Sequence, residues 1–70
     1  MLEDNQIYED EEYVLKIEKL GESFHALIFK KENQTLKFIN AVFDRDVRIE
    51  RLIKKMNLSK SNKFITLRER

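Results

Sequence analysis

Residues 13–43 read YVLKIEKLGESFHALIFKKENQTLKFINAVF, which is three mainly apolar runs separated by two polar gaps. In the first run, Tyr13, Leu15 and Ile17 stand at every second position, and a period of two residues is typical of a half-buried β-strand. Gly21, the only glycine, follows this run. Because glycine adopts positive φ freely, we expect a hairpin turn at residues 20–23.

The second and third runs are apolar on both faces. In residues 24–31, alternation places Phe24, Ala26 and Ile28 on one face. The other face carries His25 together with the apolar residues Leu27 and Phe29. Residues 32–35 are polar and suit a second hairpin turn, and residues 36–43 form the third predicted strand. A one-sided sheet needs fewer apolar residues. We therefore expect both faces to be covered, or one face to contact a second copy or a partner.

Residues 9–20 also fit a helix. Tyr13, Ile17 and Leu20 have helical spacing, acids stand first and lysines last, and Gly21 occupies the position of a helix-terminating glycine. Strand is the favoured interpretation, but the sequence leaves the choice open. An all-α fold is therefore the alternative to a mixed one.

Residues 44–57 carry the clearest helical pattern. Asp44 or Asp46 can cap the start of this helix. The apolar residues at i, i+3, i+4 and i+7 form one stripe: Ile49, Leu52, Ile53 and Met56. At about 100° per residue, the arginines and lysines form a separate stripe beside it.

The predicted fold is α+β, with a three-stranded antiparallel meander, one packed helix at about residues 44–57 and a short C-terminal strand. We place that strand at residues 64–67, after a loop at 59–62. The expected core consists of twelve apolar residues: Leu15, Ile17, Phe24, Ala26, Ile28, Phe38, Val42, Ile49, Leu52, Ile53, Met56 and Ile65.

Charge is distributed unevenly along the chain. Residues 1–12 contain six acids and no base, whereas residues 13–70 contain all 14 lysines and arginines against seven acids, so the net charge of +1 hides two opposite regions. Residues 1–11 show no patterned apolar face. We therefore expect a mobile acidic arm at 1–11 and a single small domain at 12–70, and we expect deletion of the arm to leave the fold intact.

The candidate binding residues are bases of the predicted helix and of the segment after it: Arg48, Arg51, Lys54, Lys55, Lys60 and Lys63. Such groups can contact nucleic-acid phosphates or protein carboxylates. A solvent-exposed helix face without a binding role can have the same pattern of lysines and arginines. Single-strand binders also need exposed aromatic rings beside the basic groove. The five phenylalanines stand at core-like positions, which weakens the nucleic-acid interpretation.

The composition argues against catalysis. There is no cysteine, one histidine (His25) and one glycine, so thiol chemistry, a histidine metal cluster and a glycine-rich phosphate loop are excluded. We expect no enzymatic activity, no metal site and no cofactor. The start Met-Leu-Glu-Asp is unlike a signal peptide, and the longest apolar run, residues 26–29, is far shorter than the ~20 residues of a membrane span. We therefore expect a cytoplasmic protein without membrane contact.

The sequence predicts a small non-enzymatic regulatory protein that docks on a larger protein as an inhibitor, adaptor or accessory subunit. A chain of 70 residues without disulfides or metal has a marginal core, and contact with a partner stabilises such a domain. A homodimer is one possible assembly. The alternative function is nucleic-acid binding through the basic helix face.

Overall fold

Five antiparallel strands and one helix make up residues 2–61, the part of the chain that the computed structural model describes. The elements follow one another in this order: β1 (Gln6–Glu9), β2 (Tyr13–Leu20), β3 (Ser23–Glu32), β4 (Thr35–Asp44), α1 (Asp46–Met56) and β5 (Ser59–Ser61). The predicted α+β fold is confirmed. The all-α alternative is wrong, because residues 13–20 form a strand.

The strands lie in the order β4-β3-β2-β1-β5 in one sheet. Strands β1 to β4 form a meander in which each strand pairs with the next, and α1 then carries the chain back to the far side, where β5 pairs with β1. Both predicted hairpin turns are present. Gly21 has φ of 66°, and Asn33 and Gln34 have φ of 45° and 68°, the positive values that two-residue hairpin loops require.

The core lies between α1 and one face of the sheet. Six predicted core residues are buried there: Leu15, Ile17, Phe24, Ala26, Ile49 and Ile53. Four more predicted residues are partly buried against this cluster: Ile28, Val42, Leu52 and Met56. The prediction for Phe38 is wrong, since its side chain is 55% exposed, and Ile65 lies outside the described residues.

Helix α1 ends in a pattern of backbone hydrogen bonds that the sequence analysis did not predict. Asn57 has left-handed backbone angles, its N–H donates to the Lys54 carbonyl at 3.0 Å, and the Leu58 N–H donates to the Ile53 carbonyl at 3.1 Å. This is the Schellman motif, which satisfies carbonyls at the end of a helix. Leu58 and Ile53 are buried in the same core cluster, so the motif also places an apolar group in the core.

The start of α1 differs from the expectation. Arg45 is the N-cap residue and no side chain caps the helix, so neither Asp44 nor Asp46 acts as predicted. The Asp44 carboxylate instead accepts a hydrogen bond from the Arg45 N–H at 2.8 Å. Asp46 lies in the first turn, where a negative charge interacts favourably with the helix dipole.

The N-terminal segment differs most from the expected mobile arm. Residues 6–9 form β1, which lies between β2 and β5 inside the sheet, and both Leu2 and Ile7 are buried. The physical reason is that the backbone of residues 6–9 pairs with β2. Only two residues of this segment, Ile7 and Tyr8, are large and apolar, but the pairing holds them in the sheet. A domain boundary at residue 11 would cut this sheet.

The prediction of a short strand after the helix is confirmed, but the described strand lies earlier in the chain than residues 64–67. A short strand does follow the helix, but it is β5 at Ser59–Ser61, within the predicted loop. The predicted strand at residues 64–67 lies outside the described residues.

Candidate functional site

Helix α1 turns a basic face away from the core. Ile49 and Ile53 are the buried residues of the helix, and the residues on the opposite side are exposed. This side contains four of the predicted binding residues, which we call the basic face: Arg48, Arg51, Lys54 and Lys55. Lys60 is also exposed but lies on β5, and Lys63 lies outside the described residues.

The ion pairs of residues 2–61 lie elsewhere. Lys31 Nζ lies 2.7 Å from Glu9 Oε1, and Lys16 Nζ lies 3.4 Å from Glu18 Oε2. Within this part of the chain, no ion pair involves any of the four residues of the basic face. Among residues 2–61, these four cations are therefore not neutralised by a carboxylate in an ion pair.

Several N-terminal acids are held on the sheet by hydrogen bonds. The Asp4 carboxylate accepts from the Lys19 N–H at 2.9 Å, and the Asp10 carboxylate accepts from two N–H groups of the β1–β2 turn. These bonds lower the pKa of Asp10, with the Tyr13 N–H as the largest cause. Because these carboxylates are engaged in the sheet, they do not act as a free tether that covers the basic face.

One apolar side chain stands within the basic face. Val47 is 56% exposed, and at about 100° per residue it lies between Arg51 and Lys54 on the helix surface. An exposed valine among cations gives this surface an apolar contact point. Val47 could not be recognised as part of this surface from the sequence, because it falls outside the apolar stripe of the predicted core.

A cleft of about 370 Å³ adjoins the basic face between the N-terminal segment, β1 and α1. Its lining consists of Leu2, Tyr8, Glu50, Ile53 and Lys54. Burial raises the pKa of the Tyr8 phenol, and the nearby carboxylates of Glu50 and Glu3 raise it further. The phenol is therefore neutral at physiological pH.

His25 contacts one carboxylate and one aromatic ring among the described residues. Its Nδ1 lies 3.8 Å from Glu18 Oε1, and its ring meets the Phe43 ring edge-on at 6.3 Å. Within residues 2–61 no three His, Cys, Asp or Glu side chains are grouped so that they could hold a metal ion. The same part of the chain has no helix with the length and apolar content of a membrane span.

A second surface lies on β4, at the edge of the sheet. Four large apolar side chains are exposed on this strand: Leu36, Phe38, Ile39 and Phe43. The Phe38 ring meets the Phe29 ring edge-on at 5.7 Å on the face of the sheet that points away from α1. The two-sided apolar pattern of the sequence indicated such a surface, but the assignment of Phe38 to the core hid its position.

Comparisons with known proteins give no further indication of function. No protein-family model, no curated protein and no solved structure matches the chain.

Proposed function

We propose that this protein is a small non-enzymatic regulatory protein that docks on a larger protein partner, as an inhibitor, adaptor or accessory subunit. The observation that carries the proposal is the basic face of α1, with four exposed cations around the exposed side chain of Val47. Absence of cysteine and the presence of a single histidine support a binding role over catalysis, and absence of cysteine also fits the cytoplasm.

The partner surface that fits the basic face is rich in carboxylates and has an apolar spot at its centre. Arginine guanidinium groups can bind carboxylates through two parallel hydrogen bonds, which gives Arg48 and Arg51 more directional contacts than the lysines. Exposed charge pairs contribute little to affinity one by one, but a complementary field accelerates association and rejects basic surfaces. Burial of Val47 adds the apolar contact that fixes the position of the helix.

Nucleic-acid binding through the same face is the second candidate function, favoured by the Arg48–Arg51–Lys55 spacing that lines up cations along the helix. The position of the exposed phenylalanine rings favours the protein partner. Phe38 and Phe43 are exposed, but they lie on the face of the sheet away from α1, so they cannot stack bases beside the basic face.

Affinity capture from the native host separates the two functions. We expect the tagged full chain to recover one protein in stoichiometric amount, with an acidic contact surface revealed by cross-linking from position 51. We also expect titration with duplex DNA and single-stranded RNA in low salt to show dissociation constants weaker than about 100 μM. Recovery of nucleic acid without a stoichiometric protein would show that the docking proposal is wrong.

A further inference from the structure

Strand β4 is a long and apolar edge. It spans Thr35–Asp44, it pairs on one side with β3, and residues 35–41 are all exposed. Its other side pairs with no strand among the described residues. Proteins protect such edges, because a long apolar edge strand readily pairs with another chain.

A bulge gives this strand an unusual symmetry. Ile28 pairs with Asn40 and Phe29 pairs with Phe38, so Ile39 is an extra residue without a partner on β3. Because of this extra residue, four side chains separated unevenly in sequence share the face away from α1: Leu36, Phe38, Ala41 and Phe43. These positions are symmetric about the bond between Ile39 and Asn40.

Self-pairing about that point places apolar groups opposite one another. In an antiparallel pair, Leu36 would lie opposite Phe43 of the second copy, and Phe38 opposite Ala41 of the second copy. Directly opposed side chains on one face have Cβ atoms about 5 Å apart, so both contacts would be close. The large Phe38 ring would meet the smallest side chain of the set, which avoids a clash.

The charges on the other face also fit a second copy. Lys30 and Lys37 lie directly opposite each other on β3 and β4, and within residues 2–61 neither forms an ion pair. Like charges in this position destabilise a sheet. In the symmetric register, Asp44 of the second copy would lie diagonally from Lys37, within reach of a lysine side chain, and would offset this repulsion.

We propose that β4 pairs with β4 of a second copy, antiparallel and about a two-fold axis between Ile39 and Asn40, to form a homodimer with one continuous sheet. The contact is the same on both copies, so each dimer uses both of its β4 edges and the assembly closes. The Ala41 N–H, which now donates to the Asn40 side chain at 2.8 Å, lies within two residues of this axis. This contact uses a surface separate from the basic face and is independent of the docking proposal.

Sedimentation of charge-reversal variants tests the register. We expect the natural chain to sediment at twice its mass of 8.5 kDa. Lys37→Asp alone places two acids together and Asp44→Lys alone places two bases together, so each variant should sediment as a monomer. An equal mixture of the two variants should dimerise again, because every contact then joins opposite charges. The double variant K37D/D44K should also dimerise.

Two results would overturn the proposal. One is a natural chain that remains monomeric at about 0.5 mM, where a dimer with a dissociation constant below ~0.1 mM would be mostly assembled. The other is a dimer whose mass neither single reversal changes, since its contact would then lie elsewhere. If a charge-reversal variant loses the circular dichroism spectrum of the folded protein, Leu36→Lys is tested in its place. Leu36→Lys should also give a monomer, because it removes an apolar contact to Phe43 of the second copy.

Discussion

Asp10 accepts hydrogen bonds from the Glu12 N–H at 2.8 Å and the Tyr13 N–H at 2.7 Å, and these bonds close the turn between β1 and β2. Lys31 Nζ also donates to the Asp10 carbonyl at 2.7 Å. The sequence showed the charge of Asp10 but not this role, because a turn geometry has to exist before its N–H groups can point at one carboxylate.

We expect Asp10→Ala to lower the free energy of unfolding by about 1–2 kcal/mol, because two backbone donors lose their acceptor. Asp10→Asn is the matched control, since its side-chain oxygen can still accept both bonds without the charge. Urea denaturation at neutral pH measures both variants. Equal stability of Asp10→Ala and the natural chain would mean that the turn does not depend on this carboxylate.

The lowered pKa of Asp10 also predicts a pH dependence. A folded-state pKa below the ordinary value of 3.8 means that the ionised form stabilises the fold above pH 3.8 and that this contribution is lost as pH falls through the folded-state pKa. The stability difference between the natural chain and Asp10→Asn should therefore narrow in acid. A difference that widens below pH 3.8 would contradict the assignment.

Ile49 and Val47 provide a second comparison of single residues on one helix. Ile49 is fully buried in the core, whereas Val47 is mostly exposed on the basic face. We expect Ile49→Ala to cost about 2–5 kcal/mol through lost burial and an internal cavity, and Val47→Ala to cost less than about 0.5 kcal/mol. Thermal denaturation of both variants tests this. Similar losses at both positions would place the core on the wrong side of α1.

Strand β1 shows where sequence periodicity fails to predict a strand. Strands β2 and β3 and helix α1 have enough apolar residues in a regular period to be predicted from sequence. Strand β1 has only four residues, with Ile7 and Tyr8 adjacent, so no period can be recognised. Its strand conformation comes from pairing with β2 and β5, which is information from distant parts of the chain.

Deletion of residues 1–11 should therefore destabilise the protein, contrary to the sequence-based expectation. The deletion removes β1 from between β2 and β5 and takes buried Leu2 and Ile7 from the protein. We expect the thermal midpoint to fall by more than about 10 °C. The double variant E3Q/E11Q is the control, because it removes charge from the same segment and keeps the strand. An unchanged midpoint after deletion would restore the mobile-arm interpretation.

The candidate surfaces could be predicted from the sequence only where the periodicity of the chain is regular. The bases of α1 could be placed on one surface because a helix has a fixed period, and the structure exposes Arg48, Arg51, Lys54 and Lys55 together. The β4 surface could not be located, because the bulge at Ile39 shifts which residues share a face. A shift of one residue moves every later side chain of the strand to the other face of the sheet, and the local sequence pattern does not predict this shift.

The two candidate surfaces lie on different sides of the sheet. The basic face belongs to α1, and the exposed rings of Phe38 and Phe43 lie on the opposite face. Pairing through β4 would carry two copies of α1 on the same side of one continuous sheet. Such a dimer would present two basic faces to a partner, and its apparent affinity for a partner with two acidic sites would rise without any new contact.

We propose that the basic face of α1 binds the protein partner, and neutralising Arg51 and Lys54 at its centre tests this claim. The measurement is calorimetric titration of the purified partner with R51Q/K54Q and with K19Q/K30Q. The second variant loses the same charge from bases outside α1. We predict that R51Q/K54Q weakens binding by at least about tenfold, or ~1.4 kcal/mol, while the control changes it less than about twofold. Equal losses in both variants, or no loss in either, would contradict the claim.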